Sequence, residues 1–120
     1  MAASIGIIEL WWKGTKYAVI KGASLKLPGV KNNDQPAGYE LVRSQEFQAG
    51  SVRATVLIKA GMSLAALNAG AEAELQLKAD TGQIWTFPDA FITENPELSD
   101  DGGKASVVWH MSTYSELTNA

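Results

Sequence analysis

Two stretches of strict alternation constrain this chain more than anything else in it. From Val52 the apolar residues Val52, Ala54, Val56 and Ile58 take every second position, while Arg53, Thr55 and Lys59 take the others. Ala71, Ala73, Leu75, Leu77 and Ala79 alternate in the same way with Glu72, Glu74, Gln76 and Lys78. A period of two sends successive side chains to opposite faces, so both runs predict half-buried strands. The second run consists of good helix formers, but on a helix its apolar residues would scatter around the cylinder, and the period decides for a strand.

Between the two runs, Ser63 is placed to cap a short α-helix over about 63–69, with Met62 packing on Leu67 as a hydrophobic staple and Gly70 closing it. Thr81-Gly82 reads as a turn, and Gln83–Thr93 returns as a strand apolar on both faces. Pro88 inside it removes a ladder donor and argues for a bulge or an edge.

Earlier in the chain, Ser4–Trp12 and Tyr17–Leu27 flank the turn signal Lys13-Gly14-Thr15-Lys16 and predict a hairpin. Pro28–Gly38 holds two Pro, two Gly, two Asn and one Asp in eleven residues and reads as a loop, one long enough to have a task. Tyr39–Phe47 is a weaker strand, Lys104–Ser112 the last strand, and Tyr114–Ala120 a polar tail. The expected fold is therefore mainly β with one short α-helix: a single domain over 1–120, of about seven strands in an antiparallel sandwich or small barrel.

With 120 residues the chain is long enough for a real core. It has no cysteine and one histidine, so disulfides, thiolate metal sites and histidine clusters are excluded, and no cofactor is expected. A net charge of −3 with scattered Lys and Arg gives no nucleic-acid footprint. No apolar run is long enough to span a membrane as a helix, and MAASIGIIELWW lacks the basic start of a secretory signal, so a cytoplasmic place of synthesis is expected.

Motifs for chemistry are weak. Asp80-Thr81-Gly82 is the triplet of aspartic proteases, in which two carboxylates from a homodimer share a proton, but it is also an ordinary hairpin turn. Asp100-Asp101-Gly102-Gly103 lacks the alternating ligands and closing Glu of a calcium loop, and His110 has no nucleophile to serve. What stands out is apolar surface on both parities: Ile8, Leu10 and Trp12 opposite Ile5, Ile7 and Trp11, and Trp85, Phe87 and Phe91 opposite Ile84 and Ile92. A lone sandwich would leave one set wet, which points to self-association.

The segments GIIELWWKGTKYAVIKGASLKL, PAGYE, MSLAALNAGAEAELQLKADTGQIWTFPDAFI and GKASVVWHMSTYSEL, in this order, resemble the tail tube proteins of contractile-tailed bacteriophages, in particular the Mu-like group. The tubes of R-type pyocins, extracellular injection systems and type VI secretion are similar. The resemblance implies a barrel-like sandwich with a flanking helix, without catalytic residues. It implies hexameric rings stacked into a tube inside a sheath, with tape-measure, baseplate and terminator proteins as partners and DNA in transit. It also implies a place in the virion tail, with assembly in the bacterial host cytoplasm. On that reading Pro28, Val30, Asn32 and Asn33 lie in a loop that reaches a neighbouring copy. Ile8, Leu10, Trp12, Trp85 and Phe87 supply further subunit contacts, and Glu72 and Glu74 face the bore, where like charge keeps DNA from sticking.

Overall fold

Alternation becomes closure in the computed structural model, which describes residues 4–118; residues 1–3 and 119–120 of the domain expected over 1–120 lie outside the described residues. The strands are β1 (Ile8–Trp12), β2 (Thr15–Val19), β3 (Ser24–Lys26), β4 (Gly29–Ala37), β5 (Glu40–Gln48) and β6 (Gly50–Leu57). They continue as β7 (Ala73–Ala79), β8 (Ile84–Ile92), β9 (Leu98–Ser99), β10 (Lys104–Met111) and β11 (Ser115–Leu117). Neighbours run β8-β7-β1-β2-β6-β10, and a β8–β10 pairing at Trp109↔Ile92 and His110↔Phe91 closes the ring into an antiparallel barrel. Closure removes the edges that an open sheet would leave unpaired. β3 and β9 extend β6 and β10, and β11 covers the start of β8.

The interior is what the alternation predicts. Val52, Ala54 and Val56 of β6, Leu75, Leu77 and Ala79 of β7, and Ala105, Val107, Trp109 and Met111 of β10 all point inward and are buried. Each large buried side chain contributes about 1.5–3 kcal/mol relative to exposure. Lys13-Gly14 joins β1 to β2 with φ of 53° and 81°, the two positive values that a type I′ turn needs between Trp12 and its partner Thr15.

Pro88 does mark a bulge. Ala73 pairs with Ala90 but Leu75 pairs with Phe87, so β8 spends one extra residue where proline offers no amide. The bulge turns the Asp89 carboxylate towards the start of the final turn. There Oδ1 accepts from the Thr113 amide (3.2 Å) and hydroxyl (3.0 Å), and Oδ2 accepts from the Ser112 amide (3.2 Å) and hydroxyl.

Several expectations fail: eleven strands form among the described residues where about seven were expected, and the single strand over Tyr17–Leu27 divides into β2 and β3. The α-helix over 63–69 is a single 3-10 turn, Ala65–Leu67, and Ser63 makes no cap; seven residues are too few to repay nucleation, and outside partners take the helix's polar groups. The Ala66 carbonyl accepts from Trp12 Nε1 (3.1 Å), and the Ala69 amide donates to Asn95 Oδ1 (2.8 Å). The loop over 28–38 is mostly strand β4, held by nine paired positions with β5. The polar tail contains β11, pinned where Trp85 Nε1 donates to Glu116 Oε2 (2.6 Å).

Candidate functional site

β4 and β5 form a two-stranded sheet separate from the barrel sheet. Their turn is Gly38-Tyr39, between the paired residues Ala37 and Glu40. Gly38 takes φ 66°, the positive value at the first central position that selects glycine in a type II′ turn. Nine residues per strand at ~3.4 Å each give an arm about 30 Å long, which makes the molecule elongated, 62 × 39 × 26 Å.

The arm leaves the barrel at Pro28 and Gly50. A Cβ on Gly50 would lie 2.6 Å from Pro28 Cδ and 2.7 Å from the Lys26 carbonyl oxygen, so only glycine lets β3 and β6 part this closely.

Alternation gives the arm two unlike faces. On one, Val30 pairs with Phe47, Asn32 with Gln45, Asp34 with Arg43 and Pro36 with Leu41. On the other, Lys31 meets Glu46 at 3.9 Å, and Gln35 Nε2 donates to Ser44 Oγ (3.4 Å). Val30, Phe47 and Leu41 are more than 60% exposed, and Tyr39 at the tip is fully exposed. Nothing else among the described residues covers them.

A second exposed apolar feature lies on the barrel. Ile5 and Ile7, ahead of β1, and Ile20 and Lys21, beyond the end of β2, line a groove of about 510 Å³ floored by Ile8 and Val19. The Gly6 amide donates to Asp80 Oδ1 (3.1 Å) and the Asp80 amide to the Ile7 carbonyl (3.0 Å), which fixes one wall. Asp80 is therefore an exposed turn residue that clamps the N-terminal segment, and its carboxylate is already engaged.

The residues that sequence reasoning assigned to subunit contact divide sharply. Leu10, Trp12, Trp85 and Phe87 lie inside the barrel and have no surface to give to a neighbour. They are core, because closure gives every barrel strand one inward face, and these occupy it. Ile8 is half-buried at the groove, and Pro28 is buried at the arm's root. Val30 and Asn32 are exposed on the arm and Asn33 is half-buried there. Sequence reasoning missed Phe47, Leu41 and Tyr39, whose signal was an apolar residue at each end of a weak strand.

Glu72 and Glu74 are exposed at the start of β7. The outer face they share is mixed in charge: Lys78 follows on the same side, and Glu9 of β1 pairs with Lys16 of β2 at 3.3 Å. A second, polar cleft runs over β10 beneath residues 93–99, where Thr55 and Ser106 share a hydroxyl bond of 3.3 Å. Among the described residues no three acidic or histidine side chains gather as metal ligands, and no helix is long and apolar enough to cross a membrane.

The fold is thus a closed antiparallel barrel that carries exposed apolar side chains on an extended arm and beside a shallow groove. The chain belongs to the phage tail tube protein family, whose family model matches residues 1–116. No curated protein matches the sequence.

Solved structures share the fold. The tube-terminating cap of the anti-feeding prophage gives a TM-score of 0.68 at 12% identity, covering 99% of this chain and 95% of that one. The sheath/tube terminator of an extracellular contractile injection system gives 0.71 at 10% identity, with 98% of each chain covered. A chain of the sheath-tube complex of such a system gives 0.67 at 13% identity, with 97% of this chain and 93% of that one covered.

Proposed function

We propose that this chain is the subunit of the inner tube of a contractile tail. Copies join as hexameric rings, the rings stack inside a sheath, and the tube conducts DNA into a bacterial host after assembly in the cytoplasm of the cell that makes it. The observation that carries this reading is the arm: nine residue pairs with exposed Val30, Phe47 and Leu41 and no cover among the described residues. An isolated two-stranded hairpin is marginal in water, so an arm of this length is a device for binding another copy. Tape-measure, baseplate and terminator proteins would meet the ends of such a tube, and Glu72 and Glu74 would face its bore.

The neighbours by structure come from an anti-feeding prophage and an extracellular contractile injection system, which supports a second reading in which the tube belongs to a phage-like injection system. Negative-stain microscopy and sedimentation of the concentrated full chain test the proposal. Tubes of indefinite length support it. Single rings that never stack mark a terminator, and a monomer at every concentration overturns it.

A further inference from the structure

Resting on the tube reading for its orientation, we infer that the outer face of β3, β6 and β10 is a docking face for an extended acidic segment of a partner protein. These three strands hold no Asp or Glu, yet they carry Lys26, Arg53, Lys104 and His110. Burial of Val52, Ala54 and Val56 in β6, and of Ala105, Val107 and Trp109 in β10, turns the alternate residues outward. Register then sets the cations side by side. Lys26 and His110 both pair with Ser51, one on each side, and Ser24 and Val108 both pair with Arg53.

Spacing gives the partner its form. Lys26 and Arg53 are diagonal cross-strand neighbours, on the order of 7 Å apart. Alternate residues of an extended chain stand about 6.8 Å apart, so a segment acidic at every second position meets both cations at once. Arg53 offers its fork to a carboxylate, and neither Lys26 nor Arg53 forms an ion pair among the described residues. Lys104 is engaged with Asp101 at 3.8 Å. His110 packs against the Phe91 ring, centroids 6.4 Å apart, which puts apolar surface beside the charges. Asp89, on the adjoining β8, is held by Ser112 and Thr113. The acid-free zone is short, because Glu94 and Glu97 line the cleft beside Ser106 and Val108. A nucleic-acid backbone running on past Arg53 would meet those carboxylates, whereas a short peptide ends before them.

Position agrees with charge. β6 is three strands from β7 in either direction round the barrel, so this face and the side of β7 that carries Glu74 point opposite ways. A subunit that turns β7 to the bore turns β6 to the exterior of the tube, where a partner can reach it.

A fluorescent short peptide of alternating Glu and Thr, titrated into the full chain at ~0.05 M salt where screening is weak, tests the inference by anisotropy and by amide shifts. The expected result is shifts confined to β3, β6 and β10. Affinity should fall about tenfold in Lys26→Glu and in Arg53→Glu, and stay within about twofold in Lys78→Glu, which changes charge equally on β7. No binding, equal weakening by all three substitutions, or shifts centred on β7 would overturn the inference. A short duplex that displaces the peptide more readily than unlabelled peptide does would mark a nucleic-acid face and overturn it too. Tubes that ignore a peptide the free subunit binds would show the face buried between copies, overturning the inference while leaving the tube reading intact. A parent chain that never polymerises overturns the tube reading and the outward orientation of the face, a result separate from loss of peptide binding.

Discussion

Two tryptophans touch in the barrel, with ring centroids 5.8 Å apart and planes tilted by 58°, yet their indole amides fare differently. Trp12 Nε1 donates to the Ala66 carbonyl (3.1 Å), whereas Trp109 Nε1 is buried without a partner among the described residues. An unmet buried donor costs about 1–3 kcal/mol. Trp109→Phe therefore removes a penalty as well as volume, while Trp12→Phe removes volume and a satisfied bond. We expect Trp12→Phe to be the more destabilising by about 1–2 kcal/mol, read from urea unfolding followed by far-ultraviolet circular dichroism. Equal losses would show that Trp109 has a partner after all.

Asp89 couples stability to pH. Burial opposes its ionisation, but the hydroxyls and amides of Ser112 and Thr113 outweigh burial and hold its carboxyl below the ordinary range. A folded value below the unfolded one stabilises the protein above the unfolded pKa near ~3.9, and that contribution disappears as pH falls through the folded value. Asp89→Asn should thus lower the melting temperature at neutral pH, with the gap from the parent closing on acidification below pH ~4. Thermal melts across that window check it; a gap independent of pH would assign the effect to packing.

Among the elements, β6, β7 and β10 were legible because each has one inward face and one wet face, so period two shows plainly in the letters. The bulge in β8 was legible too, since proline removes a ladder donor wherever it stands. The arm was not. β4 carries Asn, Asp and Gln, begins at Gly29 and ends before Gly38, and apart from β5 it packs on nothing among the described residues, so no alternation marks it and its strand geometry comes from register with β5 and the turn at Gly38. In β1 and β8 the pattern showed two apolar faces but not which one the barrel would enclose; Leu10, Trp12, Trp85 and Phe87 went inside, and Ile5 and Ile7 stayed out. The arm's lack of a core has a measurable result: in the free subunit its cross-strand amides should exchange nearly as fast as open chain, while those of β6 and β10 stay protected. Tube formation should then slow exchange in residues 29–48 selectively. The arm's root is stiffer: Gly50→Ala forces a Cβ against Pro28 and the Lys26 carbonyl and should cost about 1–3 kcal/mol by thermal unfolding.

At the scale of the whole molecule, a wall of such subunits in the proposed tube would act on a polyanion through its charge. Each copy carries a net charge of −3, and repetition around the proposed ring would concentrate that charge, but at ~0.15 M salt its reach is only about 8 Å. Repulsion therefore acts at the wall itself, and residues such as Glu72 and Glu74 matter more than the total. If they face the bore, reversing both to Lys turns the copy from −3 to +1 and converts a non-stick surface into an anion-binding one. Tubes of the Glu72→Lys/Glu74→Lys chain should retain a short duplex, protected from nuclease, at ~0.05 M salt and release most of it by ~0.2 M, as counterion release requires. Parent tubes should retain none at either salt. Duplex that binds the variant but stays open to nuclease would put this edge of β7 on the outside of the tube, facing the sheath, and leave the bore to another wall of the barrel.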